Sequence, residues 1–92
     1  MRTQKPSVKL EDWAVVPGAT IGTYGQLEAG NLLVGRAFGH QRINEGMFIV
    51  TSPIVRVDSE NGIAETRNTK YSLGMASREY QAWTRDQAVS AA

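Results

Sequence analysis

Leu32–Phe38 (LLVGRAF), Met47–Thr51 (MFIVT), Ile54–Asp58 (IVRVD), Ile63–Arg67 (IAETR) and Lys70–Leu73 (KYSL) are short, apolar or β-branched segments separated by clusters of turn residues. This stretch decides the fold. Runs of this length and composition between Gly, Pro, Asn and Ser clusters read as antiparallel strands. Gly35, inside the first run, marks a bulge, a sharp bend or the close approach of another backbone. Gly39–Gly46 (GHQRINEG) is a polar loop, and Asn44-Glu45-Gly46 supplies turn chemistry before the next strand. Ser52-Pro53 reads as a strand break, because proline cannot donate to a ladder.

The pair around Asn61-Gly62 poses a choice of register. A two-residue loop sets Asp58 against Glu65 and Arg56 against Arg67, two like-charge pairs. A four-residue loop, Ser59–Gly62, sets Arg56 against Glu65, Val57 against Ala64 and Val55 against Thr66. Asn-Gly favours the tighter turn, whereas the cross-strand charges favour the longer loop by about 0.2 to 1 kcal/mol per pair. Charge decides, and the four-residue loop is expected. Asn68-Thr69 reads as a further tight turn.

Outward from this block, Trp13–Val16 (WAVV) is a strand ended by Pro17-Gly18. Gly18–Gly30 carries four glycines, at 18, 22, 25 and 30. Ile21, Tyr24 and Leu27 hint at a helical spacing there, but so much glycine favours a long loop. After Leu73 the period changes. Ser77 is a suitable N-cap, Glu79 lies in the first turn, and Tyr80 and Trp83 share a face, which predicts a helix from Arg78 to about Gln87. Met1–Lys9 is expected to be a loose end and Ala88–Ala92 to fray.

These elements predict one domain over the whole chain, mainly β: a strongly bent antiparallel sheet, or an SH3-like or OB-like barrel, with one short C-terminal helix. An open α+β meander is the alternative. The expected core is Trp13, Val15, Leu33, Ile49, Val55, Val57, Tyr71, Leu73 and Trp83.

Composition narrows the chemistry. The 92 residues are 41% hydrophobic and 21% charged, which is ordinary for a globular chain, and they include no cysteine. Disulfides, thiolate catalysis and Cys-based metal sites are thereby excluded. Ten Lys and Arg against nine Asp and Glu leave a net charge of +1, with the signs interleaved. No polyanion-binding arm is indicated. The N-terminal segment has no apolar run of a secretory signal, and no stretch is long enough to span a membrane, so a cytoplasmic protein is expected.

No catalytic constellation emerges. Ser52 as nucleophile, the sole histidine His40 as base and Asp58, Glu60 or Glu65 as orienter would make a hydrolase, but no nucleophile elbow surrounds Ser52, and its place before proline explains it as turn punctuation. One histidine and scattered carboxylates form no metal-ligand pattern, and Gly30–Arg36 lacks the Lys and Ser or Thr of a phosphate-binding loop. The expectation is therefore no enzyme, no cofactor and no metal. His40, Arg42, Arg56 and Arg67, with Tyr24, Phe38, Phe48 and Tyr71 as stacking partners, are the candidate binding residues, and His40 and Arg42 stand out because they sit on an exposed loop between two strands.

Val34-Gly35-x3-Gly39-His40-x-Arg42, Thr51-Ser52-x-Ile54 and Thr66-x4-Tyr71-x-Leu73-Gly74 resemble a loose group of short uncharacterised proteins from bacteria, prophages and phages. The resemblance implies a small protein that acts by binding and inhibiting a host protein or protein complex, defence systems such as CRISPR complexes included. The alternative is a small-barrel module for a nucleotide or single-stranded nucleic acid. Oligomeric state is not legible in the sequence.

Overall fold

The computed structural model describes residues 5–18 and 23–91. Five strands, β1 (Ser7–Val16), β2 (Leu32–Phe38), β3 (Met47–Asp58), β4 (Ile63–Thr66) and β5 (Lys70–Leu73), form a closed ring in sequential order, followed by one helix, α1 (Arg78–Ala91). The expected mainly β barrel with a C-terminal helix is the observed architecture. Sequential neighbours are antiparallel, so β1 and β5 run in the same direction, and a ring of five can close only through a parallel pair. Ser7–Leu10 and Lys70–Leu73 supply it.

That pairing corrects the expectation of a loose Met1–Lys9. Ser7, Val8 and Lys9 belong to β1, and Lys70 N–H donates to the Pro6 carbonyl at 2.9 Å; residues 1–4 lie outside the described ones. The strand was hidden because SVKL alternates polar and apolar residues over too short a span to stand out from a terminal tail. At the other end the helix expected to stop near Gln87 continues to Ala91, since no glycine or proline interrupts it. Ala92 lies outside the described residues, as do residues 19–22 of the Gly18–Gly30 segment, Ile21 among them; its described part, 18 and 23–30, has neither helix nor strand.

Bulges bend the strands enough to close the ring. In β1 the register slips by one residue between Glu11 and Ala14, and Asp12 takes a left-handed conformation (φ 52°) that aspartate tolerates better than most residues. Its N–H turns out of the β1–β2 ladder to the Met75 carbonyl at 2.8 Å. Gly35 of β2 faces this bulge. A Cβ there would stand 2.9 Å from the Glu11 carbonyl oxygen and 3.0 Å from Trp13 Cα, so of the three readings of Gly35 the close approach of another backbone is the one this contact supports. Gly74 likewise leaves room for the Glu11 carboxylate, which accepts the Met75 N–H at 2.9 Å.

β3 is continuous through Ser52-Pro53, contrary to the expected break. Between Leu32 and Val34 of β2 the register with β3 shifts, so proline occupies an irregular position where its missing N–H removes no regular ladder bond. Leu33 N–H donates instead to Thr51 Oγ1 at 3.1 Å. The β3–β4 hairpin has the expected four-residue loop, with Arg56 opposite Glu65 and Val57 opposite Ala64. A second slip sets Ile54, not Val55, opposite Thr66. Alternation therefore inverts: Ile54 is 1% exposed, and Val55, expected in the core, is 54% exposed. Of the remaining expected core residues, Val15, Leu33 and Tyr71 are buried, and Trp13, Ile49, Val57, Leu73 and Trp83 are partly buried against the same cluster.

The helix is held at its start. Ser77 Oγ accepts the Tyr80 N–H at 3.1 Å, the expected N-cap bond. Tyr80 stacks on Trp83 (centroids 5.7 Å) and meets Trp13 (5.5 Å) and Tyr24 (5.4 Å). Its buried hydroxyl donates to the Gly25 carbonyl at 2.7 Å, tying α1 to the glycine-rich loop. No helix among the described residues is long and apolar enough to cross a membrane.

Candidate functional site

Strand directions place the start of β1, the Gly39–Gly46 loop and the β4–β5 turn together at one mouth of the barrel. Glu65 pairs with Lys70, so the turn's two central residues are Arg67 and Asn68, one position earlier than the expected Asn68-Thr69. Thr66 N–H donates to the Thr69 carbonyl at 2.9 Å and closes it.

The loop is braced by its own groups. Gly39 N–H donates to Glu45 Oε1 at 2.7 Å, Gly46 N–H to the Ala37 carbonyl at 2.8 Å, and Met47 N–H to the Asn44 carbonyl at 3.1 Å. Gly39 and Gly46, both at positive φ (85° and 79°), turn the chain out of β2 and into β3. Arg42 N–H donates to His40 Nδ1 at 3.0 Å. In that arrangement Nδ1 is the acceptor, so a neutral His40 carries its proton on Nε2, a donor available to a ligand.

His40, Gln41 and Arg42 from this loop face Asn68 and Thr69 from the turn across a cleft of about 320 Å³, whose remaining wall is Pro6 and Val8 of the N-terminal segment. Five of the seven lining residues bear polar side chains that can donate hydrogen bonds, and none is a carboxylate. Arg67 lies exposed beside Asn68. Lys5 also reaches this end, but its ammonium is engaged by Glu65 Oε1 at 3.1 Å and the Thr66 carbonyl at 2.9 Å. The hydrogen bond from Lys5 holds the Glu65 carboxyl below its ordinary range. The cleft accordingly offers the positive charge of Arg42, which makes no ion pair among the described residues.

Of the four candidate binding residues the structure sets His40 and Arg42 in the cleft, and Arg67, exposed on the facing turn next to Asn68, does not line it. Arg56 does not join them, because it sits on β3 opposite Glu65, with its guanidinium 3.9 Å from that carboxylate. The proposed stacking aromatics are dispersed: Tyr71 is buried in the core, Tyr24 belongs to the aromatic cluster under the helix, Phe38 is partly buried, and Phe48 is 55% exposed. Ser52 does not line the cleft and makes no bond to His40. Among the described residues no group of three or more His, Asp or Glu side chains is placed to hold a metal.

Sequence reading missed two parts of this end of the molecule. Asn68 and Thr69 looked like turn punctuation, and only the folded ring sets them across from His40. The second part is the apolar start of β3, where Phe48, named only as a stacking partner, and Val50 are 55% and 62% exposed on the outer face and Met47, on the opposite face at the mouth, is 49% exposed. A signal existed: Met47–Val50 is apolar at four successive positions, where a strand with one wet face would alternate. Comparison with protein-family models, with curated proteins and with solved structures finds no match.

Proposed function

We propose that this protein is a small non-enzymatic binding protein, phage-related and working in the host cytoplasm, that docks on a host protein or protein complex through the mouth of its barrel and inhibits it. A defence system such as a CRISPR complex is the target class that the sequence resemblance implies. The observation that carries the docking reading is the continuity of a braced polar loop bearing His40 and Arg42 with half-exposed apolar side chains at the start of β3, Met47 at the mouth and Phe48 and Val50 on the outer face. An apolar centre rimmed by charge is the composition of a protein contact, and such side chains have no structural reason to face water.

The second reading, a nucleotide or single-stranded nucleic acid, is favoured by the carboxylate-free lining of the cleft. It is weakened by the dispersal of the aromatics, which leaves no platform of rings beside the arginines. Affinity capture of the tagged protein from its host, with and without nuclease, tests the choice. A protein retained after nuclease treatment, at moderate salt, and weakened by His40→Ala/Arg42→Ala in a folded variant supports docking. Capture lost on nuclease treatment, with affinity falling steeply with salt, supports the second reading and refutes the first.

A further inference from the structure

β3 has neighbours on both sides only over its second half. Its pairing with β4 covers Ile54–Asp58, whereas Met47–Val50 pair with β2 alone among the described residues. The bonds across the β2–β3 seam show which way each peptide group points. Leu33 N–H donates to Thr51 Oγ1, and the Ala37 carbonyl accepts Gly46 N–H, so Leu33, Gly35 and Ala37 turn their backbone groups toward β3. Ile49, across from Gly35, faces it in a hydrogen-bonded position of the antiparallel ladder, whereas at the strand's start the Ala37 carbonyl takes Gly46 N–H and Met47 N–H turns to Asn44. Phe48 and Val50 therefore direct their N–H and C=O groups away from β2, to the side that β4 does not reach. Among the described residues neither is in register with any strand but β2, and no loop or turn backbone bonds to them.

Such an edge is ordinarily blunted by a charge, a proline or a bulge. Here Met47–Val55 contains no charged residue, and proline enters only at position 53, beyond the exposed part. A short apolar edge with free peptide groups is what β-augmentation requires: main-chain bonds give affinity, and alternate side chains give specificity.

We propose that the Phe48–Val50 edge accepts an extended segment of the partner protein as an added strand, apolar at alternate positions and carrying an acidic group that reaches Arg42 and Arg67 at the mouth. This rests on the docking reading and specifies its geometry. Charge complementarity selects the occupant. The loop entering β3 presents Arg42 to a cleft that no carboxylate lines, and the β4–β5 turn carries Arg67 exposed next to the lining residue Asn68. A second copy of this chain fits less well, because an antiparallel pairing of β3 with itself about Ile49 directs the arginine-bearing loop of one copy toward Arg56 of the other, cation against cation.

Two measurements on the full chain test it. In the first, backbone amide exchange is followed with the synthetic peptide Thr-Val-Thr-Val-Thr-Val-Glu-Glu and with the same peptide ending Lys-Lys. The acidic peptide is expected to slow exchange at Phe48 and Val50 about tenfold or more, the lysine peptide several-fold less. No slowing at these two amides, or equal effects of both peptides, overturns the proposal. In the second, capture from the host is repeated with Val50→Pro, which deletes one outward N–H while sparing the Gly35–Ile49 pairing, and with Val50→Lys, which puts a charge on the edge and keeps the N–H. Loss of the captured protein in variants of unchanged far-ultraviolet circular dichroism supports the edge. Undiminished capture by both refutes it and leaves docking standing, whereas a wild-type chain that captures nothing refutes docking itself. A wild-type dimer in sedimentation that Val50→Lys dissociates would assign the edge to a second copy and overturn the proposed occupant.

Discussion

Gly35→Ala places one methyl group where β1 already stands. Its Cβ would lie 2.9 Å from the Glu11 carbonyl oxygen, 3.0 Å from Leu10 Cγ and 3.0 Å from Trp13 Cα. Optimal carbon contacts are about 3.5 to 4.0 Å, so each approach is short by roughly 0.5 to 1 Å. Leu10 can shift its side chain only within a packed core where it is 0% exposed, and the other two atoms are backbone at the β1 bulge. Relief requires moving β1 off β2, which strains the bulge that sends Asp12 N–H to Met75. Overpacking costs about 1 to 3 kcal/mol, and a contact that no rotamer relieves belongs at the upper end, about 3 kcal/mol. In a domain of this size about 3 kcal/mol lowers Tm by roughly 12 to 24 °C. Thermal and urea unfolding, followed by circular dichroism and tryptophan fluorescence, measure it. Gly30→Ala is the control, since nothing lies within 4 Å of its Cβ and only the positive φ (96°) opposes alanine, a conformational cost of about 1 to 2 kcal/mol. A Gly35→Ala chain within about 1 kcal/mol of wild type, or less damaged than Gly30→Ala, would refute the reasoning.

Burial pushes the Tyr80 hydroxyl from its usual 10.0 up to about 12. The protonated form is the one the fold favours, so the contribution of Tyr80 is complete below pH 10, is lost as pH rises toward 12, and should appear as late tyrosinate absorbance coinciding with declining stability. Tyr80→Phe keeps the stacked ring but deprives the Gly25 carbonyl of its donor, an expected cost of about 1 to 2 kcal/mol in urea unfolding, and no change would show that the bond contributes nothing. Glu65 is shifted the opposite way, below its usual 4.5 by the Lys5 hydrogen bond, so the stability it adds is present above that value and lost as pH falls through the lowered one. Glu65→Gln should flatten this acid limb, and an unaltered pH profile would exclude the pair as its source. Ser77→Ala should cost about 1 kcal/mol and reduce the helical signal, since the Tyr80 N–H loses its cap; unchanged helicity and stability would contradict that role.

Much of the candidate site was legible because its signals are local. A polar loop bounded by Gly39 and Gly46 between two apolar runs placed His40 and Arg42 on an exposed connection, and the structure sets both in the cleft. Arg56 was chosen for its charge although the expected four-residue loop already set it against Glu65, and the structure puts the two within 3.9 Å, which takes Arg56 away from the mouth. Asn68 and Thr69 could not be chosen, because their relevance comes from a loop more than twenty positions earlier in the chain. The open edge of β3 depends on where β4 stops, which no property of β3 encodes.

By itself the sequence determined what short-range chemistry determines: the apolar runs of β2 and β5, the charge-selected hairpin loop at Ser59–Gly62, the Ser77 cap and the glycine needed at position 35. Each rests on residues within a few positions of one another or on a single backbone requirement. The tertiary structure alone decided the rest. Ser7–Leu10 became a strand because closing a five-membered ring leaves β5 in need of a parallel neighbour. Ser52-Pro53 stayed within β3, and Ile54 took the buried place expected of Val55, because bulges shift the side-chain period by one and are set by the strands on either side rather than by the residues that bulge.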